Sequence, residues 1–237
     1  MEIINLNTNN EAPEVGKLNV FQKIAGVVVS PSETMKAIAA KPTVIVPIIM
    51  FLLMPLALYI LRYDLYEEFM RNITQMSLEN SSANMTPEQI AAAVDMSVKI
   101  GIFSTPLSMM LNWLIGTAIL FGIMKIFKGE GNFKQYLSVT GYAYVIMVVY
   151  YLLCIPVSYM TGTLMLNSSL ALIVPHMKES LLYGILRGLD FFSLWYFLVI
   201  GIGAAAVSKV SKAKVYTVVG IIFIVSIAMA INTLKFM

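Results

Sequence analysis

Polar residues divide this chain into five long apolar runs, at residues 43–61, 100–124, 137–161, 189–208 and 215–234, and none of them contains a Lys, Arg or Glu. A helix needs about 20 apolar residues to cross the hydrocarbon core of a bilayer. Backbone groups in lipid have no water to bond, so each run must close its own hydrogen bonds as a helix. The pattern predicts an all-α integral membrane bundle of five transmembrane helices. A sixth stretch, residues 162–175, is apolar but short, and Asn167, Ser168 and Ser169 interrupt it. It reads as a loop or a partly inserted segment.

The segments between the runs carry a helical grammar of their own. Leu18, Phe21, Ile24 and Val28 recur at helical spacing between Lys17 and Lys23, which describes an amphipathic helix suited to the membrane interface. In "VVVSPSETMKAIAAKP" (27–42), Ser30 is the expected N-cap, Pro31 the first helical residue, and Glu33 the partner that closes a capping box. That helix should stop near Lys41, because a residue before proline resists the helical conformation. The Arg62–Lys99 loop is acidic, and its "TPEQ" offers Thr86 as a cap and Pro87 as the start of a helix running on into the second span. Three parts follow: a disordered cytosolic tail at 1–17, short amphipathic interfacial helices at 18–42, and a five-span membrane domain at 43–237.

Composition sharpens the class. Hydrophobic residues make up 59% of the 237 and charged residues only 12%, against roughly 25% charged in a soluble domain. The net charge of +3 is spread between the apolar runs, so no nucleic-acid partner is expected. Cys154 is the single cysteine and His176 the single histidine. That removes an intrachain disulfide, most zinc schemes and most His-based catalysis. No cofactor is expected. The polar start of the chain lacks the basic and apolar parts of a cleavable signal, so the first span should act as the insertion signal.

Five spans place the termini on opposite sides of the membrane, and the basic residues decide which is which. Nine lysines (23, 36, 41, 125, 128, 134, 209, 212, 214) fall in one set of loops. Six basic residues, Arg62, Arg71, Lys99, Lys178, Arg187 and Lys235, fall in the other. The amino terminus is therefore expected in the cytoplasm and the carboxyl terminus outside. Asn-x-Ser/Thr triplets at Asn72, Asn80, Asn84 and Asn167 all lie in the expected outside loops. They read either as chance in polar loops or as glycosylation acceptors in a secretory compartment.

Candidate chemistry is sparse. Gly129-Glu130-Gly131 lacks the phosphate-loop pattern and reads as a tight interhelical turn. Lys125, Lys128 and Lys134 around it suit an anionic leaflet, where each basic residue contributes about 1 kcal/mol of attraction. In the second span Thr105, Ser108, Asn112 and Gly116 share one helix face, which either glues helices together or lines a polar cavity. Gly201, Ala205 and Ser208 form a second small-residue line, in the fourth span. Asp190 is the sole acid within the runs, with Arg187 three residues before it. Three roles stay open for it: a helix cap or ion pair at the outer interface, a link to another span through Asn112, or contact with an ion or substrate. Together Asp190, Arg187, Asn112 and Ser108 make a candidate intramembrane polar network. Ser30, Glu33, Lys36 and Lys41 make a candidate cytosolic interface.

The order of the Ser-Pro-Ser-Glu-Thr helix, the Lys41-Pro42 pair and a span resembles the bacterial branch of the Ypt-interacting-protein (Yip-one) domain family. "GEGNFKQYLSVTGYAY" (129–144) resembles that family's entry to its third span, and "LDFFSLWYFLVIGIG" (189–203) its Asp-Phe-Ser-x-Trp fourth span. The resemblance covers roughly residues 18 to 237 and implies five spans with a cytosolic amino terminus. Eukaryotic members of the family bind Rab-type GTPases in traffic between endoplasmic reticulum and Golgi. This chain has a short tail and no Asp-Leu-Tyr-Gly-Pro-like stretch, which favours a bacterial plasma membrane over the endoplasmic reticulum or Golgi. The expected function is non-enzymatic: membrane organisation or recruitment of a cytosolic or membrane protein, with membrane lipids as the other contacts. The alternative is a small-solute or ion transporter or channel, for which a homo-oligomer would supply ten spans.

Overall fold

A computed structural model describes residues 18–79, 85–177 and 180–234. The tail at 1–17 and the expectations placed on Asn80, Asn84, Lys178 and Lys235 lie outside those residues. Ten α-helices occupy the described chain: α1 (Val20–Val29), α2 (Pro31–Ala40), α3 (Ile45–Leu61), α4 (Tyr63–Glu79), α5 (Pro87–Ile126), α6 (Phe133–Ala143), α7 (Val145–Thr161), α8 (Leu181–Gly188), α9 (Phe191–Ser208) and α10 (Lys212–Leu234). A 3₁₀ turn at Leu170–Ile173 lies between α7 and α8. Among the described residues there is no strand, only an isolated antiparallel bridge between Ser169 and Asp190.

The fold is an all-α membrane bundle. Four stretches are long and apolar enough to cross a membrane: Pro87–Ile126, Phe133–Thr161, Phe191–Ser208 and Lys212–Met229. A fifth is reached if Ile45–Leu61 and Tyr63–Leu78, bent by 100°, count as one span. The first span is thus the short one. Its 17 residues extend roughly 25 Å, somewhat under the ~30 Å hydrocarbon core. Arg62 breaks helical geometry at its end (φ −124°, ψ 51°). Arg62 as a residue is only 8% exposed, and its guanidinium spreads over three partners: Asp64 at 3.0 Å, the Ser158 hydroxyl at 2.9 Å and the Tyr159 ring at 4.3 Å. This knot fixes the corner between α3 and α4 against the end of α7.

Thr86 caps α5 as expected, with Gln89 returning the bond to complete a capping box. The helix then runs unbroken for 40 residues. Its first turns pair with α4 through Tyr66 Oη to the Val98 carbonyl (2.9 Å), Thr74 to Ser97 (2.7 Å) and Arg71 to Asp95 (2.8 Å). Gly101 leaves room there for Tyr66 and Met70. The acidic region from Arg62 to Lys99 is therefore a helical hairpin, built from α4 and the start of α5.

The capping box expected at Ser30 and Glu33 does not form. Ser30 stands at the N-cap position, but its side chain makes no capping bond. Its carbonyl accepts from Thr34 Oγ1 (2.8 Å), and Glu33 turns outward to Lys36 (2.9 Å). The reason is crowding: α1 ends at Val29, one residue earlier, so Ser30 is a tight elbow with φ −141° and ψ 65°. The helix limits themselves, Pro31 and Ala40, fall where the sequence signals put them.

α9 runs through the centre, against α2, α6, α7 and α10. Met35, Ile38 and Ala39 of α2 are buried in the core together with Tyr136 and Val139 of α6 and Val199, Ala204 and Val207 of α9. Gly203 makes this approach work, since a Cβ there would stand 2.8 Å from Val139 and 3.3 Å from Met35 Sδ. Of the small-residue line in the fourth span, Gly201 lies against the Tyr216 ring of α10.

Candidate functional site

At one end of the bundle the chain closes on Asp190. It is the N-cap of α9, accepting from the Ser193 N–H at 2.9 Å. The hydroxyl of Ser168 donates to its other carboxylate oxygen. Around that contact the Phe191 N–H bonds the Ser168 carbonyl (3.2 Å) and the Leu170 N–H the Leu189 carbonyl (3.2 Å). Tyr150 Oη reaches the Leu166 carbonyl (2.9 Å), and Asn167 Oδ1 accepts from both the N–H and the hydroxyl of Ser169. The stretch expected as a loop or inserted segment is a loop stapled to the start of α9. Leu172 and Ile173 point outward from it, 60% and 74% exposed.

The four residues grouped as an intramembrane polar network do not meet. Arg187 is exposed at the end of α8, and Ser108 and Asn112 lie on the outward face of α5. Among the described residues no hydrogen bond or ion pair joins any of them to Asp190. The helix periodicity that puts Thr105, Ser108, Asn112 and Gly116 on one face is sound, but that face looks away from α9. Ser168, the actual partner of Asp190, is 22 residues distant in sequence and carries no local signal of the pairing.

The other end gathers the lysines. The 127–132 and 209–211 turns interlock there. The Glu130 N–H bonds the Ser208 carbonyl (2.7 Å), its carboxylate pairs with Lys209 (2.6 Å), and Tyr136 Oη bonds its carbonyl (3.2 Å). Gly131 takes φ +80°, where a Cβ would overlap Val207; the Gly129–Gly131 stretch is a tight interhelical turn. Gln135 Nε2 bonds the Ala39 carbonyl (2.9 Å), tying α6 to the end of α2. With one face of α2 buried, Ser30, Glu33, Lys36 and Lys41 stand exposed on this end. Lys23 is the exception among the lysines. It is only 7% exposed, and its Nζ lies 3.5 Å from the Lys41 carbonyl and 5.8 Å from the centre of the Tyr142 ring. Burial first, and the neighbouring Lys41 charge second, hold its basicity below the ordinary lysine value.

The tyrosines of the third span divide between bundle and surface. Tyr142 bonds Thr43 Oγ1 (3.0 Å), whereas Tyr159 is 66% exposed. Tyr144 is buried, and among the described residues its hydroxyl finds no hydrogen-bond partner. Among the described residues no group of three or more His, Cys, Asp or Glu could hold a metal ion.

The profile of the Yip1 domain matches residues 25–232. The chain belongs to the Yip1 domain family. The match begins inside α1 and ends inside α10, so it takes in the Asp190 staple and the interlocked turns alike. Yip1 domains are membrane proteins and not a known enzyme family. An uncharacterized protein of Methanocaldococcus jannaschii is 37% identical over 73 residues, 31% of this chain and 52% of its own length. The chain thus spans about half of that relative. No solved structure matches.

Proposed function

We propose that this Yip1-domain chain is a non-enzymatic multi-pass protein that organises its membrane or recruits a protein partner to it. One observation carries the reading: α2 is locked into the core by Met35, Ile38 and Ala39 while Ser30, Glu33, Lys36 and Lys41 remain exposed on its other side. A surface held by a rigid scaffold can bind without ordering itself first. In this reading residues 18–42 lie at the cytosolic face of a bacterial plasma membrane, the amino terminus is cytosolic and the carboxyl terminus outside. The lysine-rich end supports that sidedness. Proximity labelling from the amino terminus in intact cells tests it. Enrichment of defined cytosolic or membrane proteins that is lost in a Glu33→Lys/Lys36→Glu double variant supports recruitment, and the same labelling pattern from both proteins refutes it.

Transport is the second reading, and one observation favours it. The unpartnered Tyr144 hydroxyl sits in the core within electrostatic reach of Tyr151, Tyr196 and Tyr59, an arrangement that could admit water between spans. Asp190 and Asn112 lend transport little support, since one is bonded within its own corner and the other faces outward. Proteoliposome flux that Tyr144→Phe abolishes would favour transport over recruitment.

A further inference from the structure

Lys23 poses a problem that the packing of the bundle leaves unsolved. An ammonium has three donors and no acceptor, and removing one from water is costly unless it is paired. Among the described residues its one hydrogen bond is a long one, to the Lys41 carbonyl, and its other attraction is the face of Tyr142. Among the described residues no carboxylate pairs with Lys23 or Lys41. The two acids described at this end are already engaged, Glu33 with Lys36 and Glu130 with Lys209.

A second positive feature meets these lysines. Helix α3 begins a few residues beyond Lys41, its N-cap is Val44, and no side chain caps it. The first N–H groups of a helix have no intrahelical acceptor and carry the positive end of its dipole; with Pro47 third in α3, those of Ile45 and Val46 are the ones on offer. Thr43 stands beside them, exposed, with its hydroxyl bonded to Tyr142 and its backbone held to Ser138 at 3.0 Å. The turn is rigid, and its unmet demand is for negative charge. Its place is also informative, because α3 is apolar from Ile45 onward, which puts residues 41–44 at the level expected for lipid phosphates.

We infer that Lys23, Lys41 and the uncapped start of α3 form a binding site for a phosphate group, that of an anionic lipid headgroup in the leaflet at this end. Lys23 supplies a charge from behind, Lys41 closes from the solvent side, and the α3 N–H groups donate to the phosphate oxygens between them. Burial, and after it the neighbouring Lys41 charge, lower the basicity of Lys23, and a phosphate bound between the two lysines would oppose both.

The test uses the full chain purified in a neutral detergent. It is titrated with short-chain phosphatidylglycerol, short-chain phosphatidylcholine and inorganic phosphate, with bound lipid counted by native mass spectrometry and stability followed by thermal unfolding. The expected result is tighter binding of phosphatidylglycerol than of phosphatidylcholine. Lys41→Met should weaken it about fivefold, as one interfacial lysine is worth, and Lys23→Met/Lys41→Met should remove the preference. Lys212→Met, a lysine at the same end but outside the turn, should leave it intact. Inorganic phosphate that saturates the site and displaces the lipid makes the physiological anion a soluble one and overturns the lipid assignment; phosphate that fails to compete supports it. Should the double variant not fold, Lys41→Met alone decides the outcome, because Lys41 is exposed. Unchanged phosphatidylglycerol binding in that variant, or no preference over phosphatidylcholine in the native chain, overturns the inference.

Discussion

Helices α5 and α9 are equally apolar, yet 22% of the apolar stretch of one is buried inside the bundle against 44% of the other. α9 is the central post. Its glycines meet neighbours: Gly203 faces Val139 and Met35, and Gly201 faces Tyr216. α5 is a flank. Its Gly116 and Gly122 have nothing within 4 Å of where a Cβ would be, and Leu107, Leu111, Ile115 and Ile119 face outward. The lesson is that apolarity decides whether a segment enters the membrane, while small residues with close neighbours decide which segment the others surround.

The sharpest way to break this comparison is to fill the two kinds of glycine. Gly203→Val should cost about 2–3 kcal/mol, the scale of overpacking a tight core, and should lower the unfolding midpoint in detergent by several degrees. Gly116→Ala should do the opposite, gaining up to about 0.5–1 kcal/mol because it removes a helix glycine without meeting anything. If both substitutions destabilise equally, the central and flanking roles are wrong, or the α5 face is covered by another copy.

A smaller effect is expected at the start of α9. Asp190→Ala removes an N-cap and the Ser168 anchor together, for about 1–2 kcal/mol. It should also release the loop before α8, visible as faster hydrogen exchange at Leu170 and Phe191. Asn112→Leu on α5 should change stability by less than about 0.5 kcal/mol in a monomer. A large loss confined to concentrated protein would show that a second copy pairs on that face.

The smallest effect concerns pH. Lys23 binds its proton less tightly in the folded chain than in the unfolded one, so the unfolded state carries more protons in between. Stability should therefore rise as pH climbs through the folded value toward the ordinary lysine value of 10.5. Lys23→Met should flatten that rise in a urea titration, as should saturation with an anionic lipid.

Much of this fold is legible in the chain. The apolar runs locate the spans, Thr86-Pro87 locates the start of the longest helix, and Pro31 and Lys41-Pro42 bound α2, because those signals act over a few residues. What stays hidden depends on contacts made after folding. Asp190 can be read as a cap, but not as the partner of Ser168. Arg62 can be counted as a charge, but not as the knot holding Asp64, Ser158 and Tyr159. The face of Asn112 is readable and its direction is not, since a helix pattern fixes which residues share a side and not what that side confronts.

One dimension of α5 has a mechanical meaning. Its 40 residues make a rod of roughly 60 Å, about twice the hydrocarbon thickness. The α4–α5 hairpin is therefore held like a pennant on a mast, at a height set by rigid helix rather than by tether length. Pro106 and the glycines Gly101, Gly116 and Gly122 are where this rod can bend before it reaches the 127–132 turn at its other end. The hairpin and that turn are the two ends of one helix, so neither shifts along its axis without the other.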